Sequence, residues 1–164
     1  MAGRVLTLLL VLAALRVASA TPPGSVDAHR AMELCERAET QDDDARVETL
    51  TRGLALAEAA VDADERDGLG QFALFCNLAR RIRHSGLRVG SPFEVMRALR
   101  ALDRAVALAP DDPDLMTAKG ALLMELPAFF GGDAEEGEAW LRRALAIAPD
   151  HATARAYLQA DVRR

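Results

Sequence analysis

Apolar residues recur every three to four positions through most of the chain after residue 25, which is the spacing of amphipathic helices. Between residues 26 and 39, for example, Ala31, Leu34, Cys35 and Ala38 share one helical face. The same spacing predicts six further helices, over residues 43–64, 67–84, 92–109, 113–126, 133–148 and after 150. No segment alternates apolar and polar residues as a strand does, so the sequence predicts an all-α protein.

Cap signals predict where several of these helices begin and end. In the stretch 91–94, Ser91 precedes a proline at the first helical position and Glu94 follows three residues after the cap, which is a capping box. Asp112 before Pro113 repeats this arrangement. We therefore expect helices to begin at residues 92 and 113, and Pro127 to end the fifth helix after Leu126.

The first 20 residues have the layout of a secretory leader. Arg4 precedes an apolar run from Val5 to Leu15, and Ala18-Ser19-Ala20 supplies small residues for cleavage. The run is 11 residues long, whereas a membrane-spanning helix needs roughly 20. We expect cleavage after Ala20, a single domain over residues 21–164 without a membrane span, and a periplasmic or secreted location.

The chain contains an internal repeat. Residues 100–111 and 139–150 lie 39 positions apart, and a weaker copy of the pattern begins at Gly53. This period predicts three helix pairs of roughly 40 residues and a final helix. Seven residues of the first copy recur identically in the second: Leu102, Arg104, Ala105, Ala107, Ala109, Pro110 and Asp111.

Alternating small and large residues before Ala-Pro-Asp, at 109–111 and again at 148–150, resemble the end of a tetratricopeptide (TPR) repeat. The resemblance implies a TPR-like α-solenoid of stacked antiparallel helical hairpins, with about three units and a C-terminal capping helix. The third unit, with Leu-Pro, aromatics and Gly-Gly-Asp, is similar to exported bacterial members of the family. Some of those are T-components associated with TRAP transporters, which are periplasmic partners of solute-binding proteins.

In TPR arrays the first helix of each unit lines a concave groove that binds protein partners. The resemblance places in this groove Asn77, Arg80 and Arg81 of the third helix, with Met124 and Glu125 of the fifth. Asn77 and Arg81 are four residues apart, so they share a face and suit a partner's carboxylate. The alternative is that these residues are ordinary polar side chains on the solvent-exposed faces of their helices. The predicted function is a non-enzymatic scaffold for a protein or peptide partner.

The joint between the fifth and sixth helices, LPAFFGGDAEEG, is expected to be structural. We expect Phe129 and Phe130 to fold back over the end of the hairpin, with partner contact by an exposed phenylalanine as the alternative. Six residues have predicted structural roles: they end a helix, reverse the chain, cap a helix or let two helices approach closely. They are Pro127, Gly131, Gly132, Asp133, Gly137 and, in the preceding helix, Gly120.

The net charge and the candidate catalytic and binding residues limit the classes of function that the sequence supports. Loss of Arg4 and Arg16 with the leader changes the net charge from −5 to −7, which does not suit nucleic acid. Residues 80–104 contain seven arginines, interpreted as a solvated face. No catalytic, cofactor-binding or metal-binding residues are predicted. There are two alternative functions. The chain could be a periplasmic accessory component of a solute transporter, or a helical protein that binds a small ligand in a pocket lined by aromatic residues.

Cys35 and Cys76 occupy equivalent positions of neighbouring repeats. Packed helices lie on the order of 10 Å apart, whereas a disulfide needs Cα atoms within about 7 Å. An exported chain permits the bond. A disulfide and two buried thiols therefore both remain open interpretations.

Overall fold

The computed structural model describes residues 24–85 and 92–161, and every regular element in these ranges is a helix, which confirms the all-α prediction. None of these helices has the length and apolar character needed to cross a membrane. The predicted leader over residues 1–20 lies outside the described residues. The seven α-helices are α1 (Val26–Arg37), α2 (Asp43–Ala63), α3 (Gly68–Ser85), α4 (Pro92–Leu108), α5 (Pro113–Glu125), α6 (Ala134–Ile147) and α7 (Ala152–Asp161).

The observed helix boundaries agree with the predicted ones to within a few residues. Helices α4 and α5 begin at Pro92 and Pro113. Asp112 caps α5, because its Oδ1 accepts a hydrogen bond of 2.8 Å from the backbone N–H of Asp114. Helix α5 ends at Glu125, one residue earlier than expected. A short 3-10 turn, Ala38–Thr40, continues α1.

Asp67 joins the beginnings of α1 and α3. Its Oδ1 accepts a hydrogen bond of 2.8 Å from Gly70 N in the first turn of α3, and its Oδ2 accepts one of 2.8 Å from Ser25 N before α1. Burial by itself would raise the pKa of Asp67, but the backbone donors of Ser25 and Gly70 outweigh it, so the pKa is lowered. The folded state therefore favours the carboxylate.

The helices pack most extensively as the consecutive pairs α1–α2, α3–α4 and α5–α6. Helix α3 also packs against α1 and α2, and α7 packs against α6 and the edge of α5. The contact between α4 and α5 is small by comparison. A first hydrophobic core includes Leu54, Leu74 and Leu78, and a separate second core includes Met116 and Leu141. The protein thus has two cores joined by a lightly packed region.

Cys35 and Cys76 form a disulfide between α1 and α3, with Cα atoms 6.3 Å apart. The expected separation of about 10 Å is wrong at this position. Ala31 and Ala73 are fully buried where α1 and α3 meet, and alanines allow helices to approach more closely than larger side chains do. The disulfide therefore links the first helix pair to the second.

Candidate functional site

A solvent-open cleft of about 510 Å³ lies between the two cores, with α1 and α3 on one side and α5 and α7 on the other. The rings of Phe72 and Phe75 have centroids 6.1 Å apart and planes 15° from parallel, and both line the cleft as an aromatic part of its wall. A cleft of this volume is in the usual range of ligand sites. The apolar lining includes Met32, Phe72, Phe75, Ala79, Ala121 and Leu122.

Two arginines of α3 reach the rim of the cleft, and each is bound to a carboxylate. Arg80 Nε lies 3.0 Å from Glu39 Oε1, and the same guanidinium donates a hydrogen bond to the backbone carbonyl of Cys35. Burial lowers the pKa of Arg80, while the charge of Glu39 acts in the opposite direction. Arg83 lies 3.6 Å from Glu125 Oε2. Both arginines therefore already have a carboxylate neighbour within the protein.

Glu125 connects α5 with α3 across the cleft and with α7 on its own side of the cleft. Tyr157 of α7 donates a hydrogen bond to Glu125 Oε1, and Arg83 of α3 approaches the other carboxylate oxygen. Burial, together with the hydrogen bond and charge of Glu125, raises the pKa of Tyr157 to about 12. These three side chains form a bridge, called here the Glu125 bridge, between the two sides of the cleft.

A smaller apolar chamber of about 270 Å³ lies next to the cleft, between α3, α4 and the end of α5. Phe75, Ala79 and Leu122 line both spaces, as do Arg83 and Glu125. The chamber and the cleft therefore adjoin each other at these shared residues. The other chamber walls include Ile82, Val95, Ala98, Leu99 and Leu126.

His151 fixes the start of α7 at the opposite end of the cleft. Its Nε2 lies 2.8 Å from Asp114 Oδ1 of α5, and its Nδ1 accepts a hydrogen bond of 3.3 Å from Ala154 N. No functional role was predicted for His151 from the sequence. Tyr157 was also missed, although Ala154, Tyr157 and Leu158 follow helical spacing and show that this face of α7 is buried.

Of the five residues predicted to line a groove, Arg80 and Glu125 line the cleft and the other three do not. The placement of Asn77 in a groove is wrong, because its side chain is fully buried. Asn77 Nδ2 donates hydrogen bonds to the backbone carbonyls of Ala31, at 3.1 Å, and Ala73, at 2.9 Å. The amide therefore ties α3 to α1 instead of facing a partner.

Arg81 and Met124 also lie away from the cleft. Arg81 forms a salt bridge with Glu94 at the start of α4, so the expected joint grip of Asn77 and Arg81 on a carboxylate is wrong. Met124 packs against the second core, and its Cγ would lie 2.7 Å from a Cβ built on Gly137. Both side chains hold neighbouring helices together.

The predicted basic face is largely neutralised by carboxylates of other helices. Arg97 Nη1 of α4, for example, lies 2.6 Å from Glu58 Oε1 of α2. Further pairs of this kind are Arg80–Glu39, Arg81–Glu94 and Arg83–Glu125. Most arginines of residues 80–104 that the structure describes therefore stabilise contacts between helices.

The joint between α5 and α6 contains a tight reversal. Gly131 has φ +85°, in the left-handed region, and a Cβ on Gly132 would lie 1.8 Å from the carbonyl oxygen of Leu126. Asp133 then caps α6 by accepting a hydrogen bond of 3.0 Å from Glu136 N. Phe129 does not fold back as expected, since 79% of its surface is exposed. Pro127 lies directly before the 3-10 turn Ala128–Phe130.

No protein-family model matches the chain, and no significant similarity to a curated protein or a solved structure is found. Within residues 24–85 and 92–161, no group of three or more His, Cys, Asp or Glu side chains is arranged to hold a metal ion. The function is therefore argued from the geometry of the cleft.

Proposed function

We propose that the chain is a non-enzymatic, exported, TPR-like scaffold that binds a segment of a partner protein in the cleft between its two cores. The observation that carries this proposal is the lining of the cleft. Helices α1, α3 and α5, which supply most of the lining, are the first helices of the three consecutive pairs. Stacked helix pairs characteristically offer such a concave surface to partners.

The packing of the helices supports a TPR-like arrangement for the first two pairs. Helix α3 contacts both members of the first pair, as a repeat stacked on its neighbour does. Between the second and third pairs, the junction is opened by the cleft and the chamber. The disulfide Cys35–Cys76 agrees with a location outside the reducing cytosol.

The cleft also supports a second candidate, a protein that binds a small apolar ligand. The stacked wall of Phe72 and Phe75 favours it, because aromatic linings are common in such sites. The chamber of about 270 Å³ is slightly below the usual range of about 300–1,000 Å³ for ligand sites. A single side chain of a partner is a better match for the chamber.

Filling the cleft tests the proposal. Ala121 lines the cleft, so Ala121→Trp places a large side chain in the space that a partner would occupy. Ala146→Trp is the matched control, because Ala146 is exposed on α6 and does not line the cleft. In a displayed-peptide selection with the purified protein, we expect Ala121→Trp to lose the selected peptides and Ala146→Trp to retain them. Equal binding by both variants would contradict a binding role for the cleft.

A further inference from the structure

We infer that the partner segment which occupies the cleft combines a bulky apolar side chain with a neighbouring lysine or arginine. This inference rests on the proposed function and specifies its partner. It also reverses the charge preference expected from the sequence, in which Asn77 and Arg81 of α3 suit a carboxylate of the partner.

The charges around the cleft favour a cation. Among the described residues, Glu36, Asp114 and Glu125 are the acids that line the cleft, and Arg80 and Arg83 are the bases. Glu39, just beyond the lining, adds a fourth carboxylate because it pairs with Arg80. Four carboxylates therefore accompany two guanidinium groups, and His151 Nε2 lies 2.8 Å from one of these carboxylates, that of Asp114. A basic segment would therefore be attracted to the cleft.

The pairing of the arginines makes a carboxylate ligand less favourable. A third cavity of about 260 Å³ is lined by Arg46, Arg80, Arg83 and His84, and its composition suggests an anion site. Arg46 Nη1, however, lies 2.8 Å from Asp43 Oδ1. The other two arginines are held by the carboxylates of Glu39 and Glu125. Part of the charge of each of these arginines is therefore already balanced within the protein, whereas Glu36, whose charge acts on Arg80, has no salt-bridge partner in the described part of the chain.

The chamber is the reason for inferring a bulky apolar side chain in the partner segment. The chamber is open to solvent, so its apolar walls, which include Ile82, Val95 and Leu99, are removed from water and gain van der Waals contacts when an apolar group enters it. Phe75 and Leu122 line both the cleft and the chamber. A leucine or phenylalanine side chain has a size that suits a space of about 270 Å³ next to the cleft. The aromatic wall can then interact with a neighbouring cationic side chain.

The test uses short synthetic peptides with blocked ends, so that neither terminus carries a charge. Each peptide has one central leucine or phenylalanine flanked by two lysines, two glutamines or two glutamates, and its affinity is measured by fluorescence anisotropy. We expect the lysine peptide to bind about threefold to tenfold tighter than the glutamine peptide. This advantage should shrink as salt is raised. Replacing the central residue with alanine should weaken binding by about tenfold or more.

Variants of the protein test whether the preference for the lysine peptide comes from the carboxylates of the cleft. Glu36→Gln should reduce the preference for lysine, whereas Glu135→Gln, an exposed acid of α6 outside the cleft, should leave it unchanged. Circular dichroism checks that both variants are folded. Equal effects of the two substitutions, or tightest binding of the glutamate peptide, would overturn this inference.

The controls distinguish the inference from the function on which it rests. If peptides bind, Ala121→Trp abolishes their binding and lysine gives no advantage, the scaffold proposal survives and the inferred partner chemistry is wrong. If no peptide of any charge binds, or if binding survives Ala121→Trp, the proposed function itself fails.

Discussion

Gly120 of α5 and Gly137 of α6 lie against each other where these helices pack. A Cβ built on Gly120 would lie 2.7 Å from the carbonyl oxygen of Gly137, and a Cβ on Gly137 would lie 2.7 Å from the carbonyl oxygen of Gly120. Carbon and oxygen atoms do not approach so closely without a shift of backbone. The pair therefore sets the spacing of α5 and α6, the two helices with the most extensive contact in the protein.

Gly137→Ala should destabilise the protein although alanine is the better helix former. Helix propensity alone would stabilise the variant by about 1 kcal/mol, whereas overpacking in a tight contact costs about 1–3 kcal/mol. We expect a net loss of up to about 2 kcal/mol in the free energy of unfolding, measured by urea denaturation. The reverse substitution at an exposed position of the same helix, Ala146→Gly, serves as control and should cost about 1 kcal/mol. A stabilised Gly137→Ala protein would contradict the close contact.

The helices and the positions of Gly120 and Gly137 could be predicted because their signals are local or repeated. Apolar spacing, prolines and caps specify where each helix lies, and the repeat aligns the glycines of its units. The disulfide could not be predicted from the same information. It depends on how closely α1 and α3 approach, and that distance is set by alanines of both helices acting together.

Breaking the Cys35–Cys76 disulfide should destabilise the folded protein. The bond joins residues 41 positions apart, and the closure of a loop of that size stabilises by about 2–4 kcal/mol, mainly through the unfolded state. We expect a loss of this size in the free energy of unfolding when denaturation is repeated with a thiol reductant. The double variant Cys35→Ala/Cys76→Ala should be equally destabilised and should not respond to the reductant. A wild-type protein that is equally stable in both conditions would contradict this prediction.

Asp67 should make the stability depend on pH in the acid range. Its pKa in the folded state is below the ordinary value of 3.8, so its contribution is present above that value and is lost as the pH falls through the folded-state pKa. Asp67→Asn leaves one oxygen to accept the hydrogen bonds that two oxygens accept from Ser25 N and Gly70 N, so it should cost about 1 kcal/mol near neutral pH. The gap to the wild type should narrow below about pH 4. Urea denaturation across this range measures both quantities.

A matched substitution separates this effect from the general titration of surface acids. Asp111 is exposed and lies in the turn before α5, so Asp111→Asn should change the stability little at any of these pH values. If the difference between wild type and Asp67→Asn stayed constant from neutral to acid pH, the assigned role of the ionised Asp67 carboxylate would be wrong.

Only some residues of the candidate site could be predicted from the sequence, and individual residues show why. The TPR register identified α3 and α5 as the helices that line a cleft, and Arg80 and Glu125 lie there. It misplaced Asn77 because a polar residue on that face was assumed to be exposed. In the structure, two backbone carbonyls satisfy the amide donors and Gly53 leaves room for its Oδ1. The position of Tyr157 at the cleft depends on where α7 packs, and the repeat does not specify that.

The Glu125 bridge can be observed directly, because Tyr157 is the single tyrosine of the chain. Titration followed by tyrosinate absorbance should give a pKa of about 12 in the folded protein, compared with an ordinary value of 10.0. Glu125→Gln removes a neighbouring negative charge, so we expect a lower pKa that stays above 10.0 because burial, the larger cause, remains. The same titration in denaturant supplies the reference, and circular dichroism shows whether the protein is still folded. A folded wild-type protein whose tyrosine ionises at its ordinary pKa would show that α7 does not hold Tyr157 against Glu125 at the cleft.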